Sequence, residues 1–150
     1  MVIKWIRFWL ITCSTRHCRK FLSFVNLYFL FYENIDTFKQ HIFFIIFILI
    51  SFFIGLFIYP RTVGEDHDPG SFVWDEFVGM WIACIPLALI DHSLKWLFIS
   101  FISFRLFDIW KPFGIKFLDD KTGAFYVMID DVLAGLLAAI LVTFLSIFLI

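Results

Sequence analysis

Residues 41–59 read HIFFIIFILISFFIGLFIY, an apolar run with no charged side chain apart from His41. As a helix rising 1.5 Å per residue it covers roughly 28 Å, close to the roughly 30 Å hydrocarbon core of a bilayer. The run predicts a membrane-crossing helix, so the rest of the chain is read with lipid as its solvent. Composition agrees: the 150 residues are 62% hydrophobic, include 23 Phe and have a mean hydropathy of +0.94. A soluble domain averages about 45–50% apolar residues. The chain therefore reads as an integral membrane protein rather than a soluble enzyme. Its net charge of -1 says nothing about partners, because acidic and basic residues fall in separate stretches. No nucleic-acid partner is expected.

Working outward, VLAGLLAAILVTFLSIFLI at 132–150 is a second full-length span, and it begins directly after Asp130 and Asp131. Between the two lie weaker helices, one from about Ser71 to Ile90 and one from about Leu94 to Trp110. The polar turn Asp91, His92, Ser93 joins them into a hairpin. Residues 1–40 form a divergent basic and apolar segment: Arg16, Arg19 and Lys20 precede Phe21–Tyr32, which is short for a span and fits an interfacial helix equally well. No small-residue cleavage site follows an apolar core there, so a signal peptide is not expected. The fold class predicted is all-α: a polytopic bundle with four or five membrane-embedded helices.

The three cysteines are odd in number and Cys84 lies in an apolar helix, which argues against a disulfide framework. Cys13 and Cys18 flank His17 in CSTRHC, short of the four ligands of a structural zinc site. There are no internal repeats and no Gly-rich phosphate loop.

The hairpin fixes which loops share a compartment. YPRTVGEDHDPG (59–70) and DIWKPFGIKFLDDKTG (108–123) face the same side, and the charged groups converge there. Asp75 and Glu76 sit near the start of one helix, Arg105 and Asp108 near the end of the next, and Asp130 and Asp131 at the head of the last. Arg61, Lys111, Lys116 and Lys121 also collect on that side, against Lys39 and Lys95 on the other, which assigns it to the cytoplasm.

A single acidic pair at a helix start is well explained by the macrodipole, worth about 0.3–1 kcal/mol. Two such pairs with Asp108 beside them repel one another, and a carboxylate deep in lipid costs at least about 2.5 kcal/mol. A hard divalent cation relieves both problems, since Mg²⁺ takes oxygen ligands from one or two carboxylates, water and substrate phosphate. Arg105, Asp108 and Lys111 recur at a spacing of three residues, so they share a face that Pro112 closes. Arg and Lys there suit a phosphate, and an internal Arg105–Asp108 ion pair is compatible with that role.

VWDEFVGMWIA (73–83), FRLFDIWKP (104–112) and MIDDVLAG (128–135), in that order, resemble the three motifs of the phosphatidylglycerophosphatase A family over roughly residues 66–140. Two departures stand out. Residues 1–60 lack the family's Gly-, Pro- and Thr-rich opening, and Gly114 replaces a usual second proline. The resemblance implies a small Mg²⁺-dependent phosphatase of the bacterial inner membrane that converts phosphatidylglycerophosphate to phosphatidylglycerol, with residues 41–150 as the phosphatase domain. It implies active-site roles for Asp75, Glu76, Arg105, Asp108, Lys111, Asp130 and Asp131. On this reading Asp75, Glu76, Asp130 and Asp131 hold Mg²⁺, and Arg105 and Lys111 grip the phosphate. Asp108 orients Arg105 or acts as base, and His67 protonates the leaving group. No Ser or Cys lies in a nucleophile setting, so direct attack by water is expected. An inactive homologue with an accessory role, and an ion-coupled transporter, are the competing readings.

The hairpin makes a topological prediction. In a background lacking native cysteines, single cysteines at Glu65 and Lys121 should react with an impermeant thiol reagent from the same face. A cysteine at Ser93 should react from the other. Labelling of positions 65 and 121 from opposite faces would split the acidic cluster across the membrane and sink the reading.

Overall fold

The computed structural model describes residues 37–63, 72–90, 93–112, 115 and 123–149. The CSTRHC run, the Phe21–Tyr32 segment, His67, Lys116 and Lys121 lie outside them. The chain divides into units Met1–Ile42 and Phe43–Ile150, and all packing below is within the second. The described elements are helical: α1 (Thr37–Val63), α2 (Trp74–Ala83), α3 (Leu87–Ile90), α4 (Leu94–Trp110) and α5 (Ala124–Leu149).

α1 extends past the apolar run at both ends. In its last turns Arg61 Nη1 donates back to Phe57 O at 2.9 Å and Thr62 Oγ1 to Ile58 O at 3.1 Å. Phe44, Ile48, Ser51 and Gly55 form a buried stripe at helical spacing, while Phe43, Leu49, Ile50, Phe53 and Phe57 are exposed. Two helices, His41–Thr62 and Ala124–Phe148, are long and apolar enough to cross a membrane. Only 22% and 33% of their apolar windows are buried, the reverse of what the core helix of a soluble protein would show. Apolar surface on that scale belongs against lipid.

Two expectations need correcting. The predicted helix 71–90 is broken: α2 ends at Ala83, Cys84–Pro86 form a turn, and α3 holds only four residues. Pro86 is the cause, because it has no N–H to give to the carbonyl one turn back and its ring crowds that carbonyl. The last helix begins at Ala124, eight residues before the predicted start, with Gly123 at φ 123 accepting the N–H groups of Tyr126 and Val127. Asp130 and Asp131 therefore lie in its second turn rather than at its head.

α5 packs against both α2 and α4, which also touch each other. The register of α2 on α4 follows from three contacts: Glu76 meets Arg105, Gly79 meets Phe104, and Cys84 lies beside Ser100. Numbers rise on one helix as they fall on the other, so the pair is antiparallel, as the hairpin predicts. α1 also runs opposite to α2, with Phe47 against Trp81, Ser51 against Trp74 and Tyr59 against Phe72. The end of α1, the start of α2, the end of α4 and the start of α5 thus meet at one end of the bundle.

The contact of α2 with α5 is backbone on backbone. A methyl group on Gly79 would stand 2.5 Å from the Asp131 carbonyl oxygen and 2.6 Å from Phe104 Cε2. One on Gly135 would collide with the carbonyl of Gly79. Ala134, Ala138, Val142 and Ser146 continue this small buried stripe along α5. Within lipid, where no apolar-versus-water difference drives helices together, such close van der Waals contact is the main cohesive force.

Gly79→Ala and Gly135→Ala should each lower stability in detergent by roughly 1–3 kcal/mol, the usual cost of overpacking. Leu136→Ala, on the exposed face of α5, should stay within about 0.5 kcal/mol. Equal melting temperatures for all three variants would show that the helices do not cross at these glycines.

Candidate active site

Asp75 lies four residues before Gly79, and Asp131 four before Gly135. The glycine crossing therefore carries both carboxylates one helical turn towards the polar end, where they face the same space. Both are buried, Asp75 at 8% exposure and Asp131 at 5%, with Asp130 at 6%. Asp131 is within electrostatic reach of Asp75, Asp108 and Asp130. Trp74 anchors the start of α2 by donating from Nε1 to Ser51 O of α1 at 2.8 Å.

The two cations are already engaged. Arg105 Nη1 donates to Asp108 Oδ2 at 2.7 Å, and Arg105 Nη2 stands 3.6 Å from Glu76 Oε2. Lys111 Nζ donates to Asp130 Oδ2 at 2.7 Å. The internal Arg105–Asp108 pair expected from their spacing is present. Lys111, however, does not continue the α4 face. It caps the helix in the left-handed conformation, φ 46 and ψ 55, with its N–H bonded to Phe107 O at 2.8 Å. Such a conformation costs an L-residue about 1–2 kcal/mol, and helices usually place Gly there. It turns the side chain across to α5.

Both acidic pairs share a local pattern in which the first carboxylate accepts the backbone N–H of the second: Glu76 N to Asp75 Oδ1 at 2.8 Å, and Asp131 N to Asp130 Oδ1 at 3.0 Å. Beyond that they differ. Among the described residues no cationic side chain pairs with Asp75 or Asp131, whereas Glu76, Asp108 and Asp130 each have one. Two buried carboxylates facing one space without a cation suit a hard divalent ion completed by water and phosphate oxygens. The four expected ligands do not share a point, however. Among the described residues no three His, Cys, Asp or Glu side chains gather around a single ion position.

The geometry brings together Asp75, Glu76, Arg105, Asp108, Lys111, Asp130 and Asp131 from three helices at one end. Sequence reasoning missed Gly79, Gly135 and Trp74. The first two carried a visible signal, an Asp followed four residues later by Gly in both acidic motifs.

A family model described as phosphatidylglycerophosphatase A matches residues 5–146. The chain belongs to that family. The match extends well beyond residues 66–140 on the N-terminal side, so the divergent opening does not place residues 5–65 outside the family. Phosphatidylglycerophosphatase A of Haemophilus influenzae is 43% identical over 102 residues, covering 66% of this chain and 61% of that protein. The Escherichia coli protein of the same name is 38% identical over 95 residues, covering 61% of this chain and 54% of its own length. The matched region thus spans little more than half the length of these curated relatives. No solved structure matches the chain.

The Arg105 cluster generates a stability prediction. Arg105→Met leaves Glu76 and Asp108 facing each other without their cation and should cost about 1–3 kcal/mol in thermal unfolding in detergent. Adding Asp108→Asn should recover part of the loss. A double variant no more stable than Arg105→Met would show that Asp108 does not depend on Arg105.

Proposed function

We propose that this chain is a Mg²⁺-dependent lipid phosphatase of the bacterial inner membrane that hydrolyses phosphatidylglycerophosphate to phosphatidylglycerol and inorganic phosphate. Residues 41–150 carry the activity, within a multi-pass bundle of four or five membrane-embedded helices whose active end faces the cytoplasm. The observation behind this reading is the pairing of Asp75 with Asp131, two buried carboxylates facing one space beside Arg105 and Lys111. Family membership and the names of the relatives support the substrate. The excess of Lys and Arg in the loops at that end supports the orientation.

The chemistry demands little beyond charge and position. Water attacks phosphorus, the bond from phosphorus to the glycerol oxygen breaks, and the alcohol leaves as its oxygen is protonated. Catalysis consists mainly of holding the phosphate and neutralising charge that develops on its oxygens. Asp75 and Asp131 would hold Mg²⁺, which when bound supplies Lewis-acid charge neutralisation. Arg105, held in plane by Asp108, offers its guanidinium fork to two phosphate oxygens. Asp108 pairs with Arg105 and lies near Asp131, where it can take the proton of the attacking water. Glu76 shares Arg105 from α2. His67 is the proposed acid for the leaving alcohol. The charges gather at one end of the bundle rather than midway along it, which favours a phosphatase over a transporter with mid-membrane carboxylates.

Purified protein should release phosphate from phosphatidylglycerophosphate in mixed micelles only when Mg²⁺ is present, and chelation should abolish turnover reversibly. Asp75→Asn and Asp131→Asn should each lower kcat by at least about 100-fold, the scale of losing one preorganised electrostatic group. Arg105→Lys should raise KM by about tenfold through loss of the planar fork. Metal-independent turnover, or near wild-type rates in Asp131→Asn, would remove the site from the reaction.

A further inference from the structure

We propose that Asp130 is a positioning residue, not a metal ligand: it acts through Lys111, holding that ammonium at the rim of the Asp75–Asp131 site. The proposal rests on the phosphatase reading for its kinetic consequences and on geometry alone for the latch itself.

Consecutive helical residues point about 100° apart, so Asp130 and Asp131 leave α5 in different directions. Both lie within electrostatic reach of Asp75, and Asp131 also of Asp108, but only Asp130 pairs with a cation among the described residues. Asp130 turns towards the end of α4, where both its oxygens are occupied, Oδ2 by Lys111 Nζ at 2.7 Å and Oδ1 by the Asp131 N–H at 3.0 Å. A cation bound to a carboxylate so committed, with its side chain 7% exposed, would compete with the Lys111 ammonium for the same oxygens.

The backbone on the other side of the pair points the same way. Among the described residues Lys111 is the one non-glycine residue with positive φ, at 46°. A long cationic side chain occupies the position where a helix ordinarily ends on glycine. Lys111 combines two jobs there, reversing the chain before Pro112 and reaching across to α5. Strain of this kind persists where surrounding contacts over-determine it and clusters at functional sites. Here the over-determining contact is Asp130. Its N–H bond to Asp131 also fixes Lys111 relative to the neighbouring carboxylate, so the cation and the metal-binding acid share one rigid turn of α5.

The test is a double-mutant cycle of Asp130→Asn and Lys111→Met, read in two ways. Thermal unfolding in detergent reads the latch without any activity. The two losses should be strongly non-additive, the double variant being no less stable than the weaker single variant. Additive losses would overturn the latch, whatever reaction the protein performs. Phosphatase kinetics reads the positioning role. Asp130→Asn keeps an oxygen for the Asp131 N–H, so it should raise KM for the lipid phosphate at least fivefold. The Mg²⁺ concentration giving half-maximal rate should stay within twofold of wild type. In a Lys111→Met background the same substitution should change neither quantity. A tenfold higher Mg²⁺ requirement in Asp130→Asn would instead make Asp130 a metal ligand and overturn the proposal. Lys111→Arg should restore most of the wild-type KM, and Lys111→Gly, which relieves the backbone without supplying a cation, should not. Rescue by Lys111→Gly would show that only the chain reversal matters.

Discussion

Everything at the polar end depends on how closely α2 and α5 approach. Two glycines let their backbones touch, and each glycine lies one turn beyond an aspartate, so the contact that joins the helices also brings Asp75 and Asp131 within electrostatic reach. Without that contact the carboxylates would belong to separate helix ends, each stabilised by its own dipole and solvent. With it they share a space from which neither can withdraw. The electrostatic cost of the site is thus met by packing, in a stripe of small residues running down α5 away from it.

Around this pair the charges are arranged in tiers. Arg105 serves Asp108 and Glu76, and Lys111 serves Asp130, so among the described residues the outer acids have cation partners and the inner two do not. A fully neutralised cluster would be a structural knot. On the proposed phosphatase reading, a cluster short of positive charge at its centre, with two cations at its edge, would receive a metal and a phosphate together. The lipid-facing character of α1 and α5 is consistent with such a ligand arriving from the membrane itself.

Aromatic side chains do the remaining work of fixing α1. Phe47, Trp74, Phe77 and Trp81 form a continuous contact, and Trp74 adds a hydrogen bond to the α1 backbone. Rigid rings with few rotamers lose little entropy on packing, and an indole N–H buried in an apolar layer needs the acceptor it finds there. The first turn of α2, and with it Asp75, is held from α1 on one side and from α5 on the other.

By itself the sequence determined the helical class, the apolar spans and which charged motifs gather at one end. The apolar runs at 41–59 and 132–150 are local signals that depend on nothing but composition and length, and the three charged motifs name the residues that meet. It also determined the antiparallel hairpin, because a short polar turn between two helices leaves few alternatives. Only the tertiary structure decided where the helices stop and what each charge does. Pro86 outweighed a continuous apolar pattern and ended α2 early, while Gly123 started α5 two turns before its purely apolar stretch. Adjacent aspartates look equivalent in sequence, and they separated once Lys111 adopted a left-handed turn that no pattern of hydrophobicity encodes. Partner choice among clustered charges is set by the angle at which each side chain leaves its helix and by what stands opposite. Both come into being only when the helices cross.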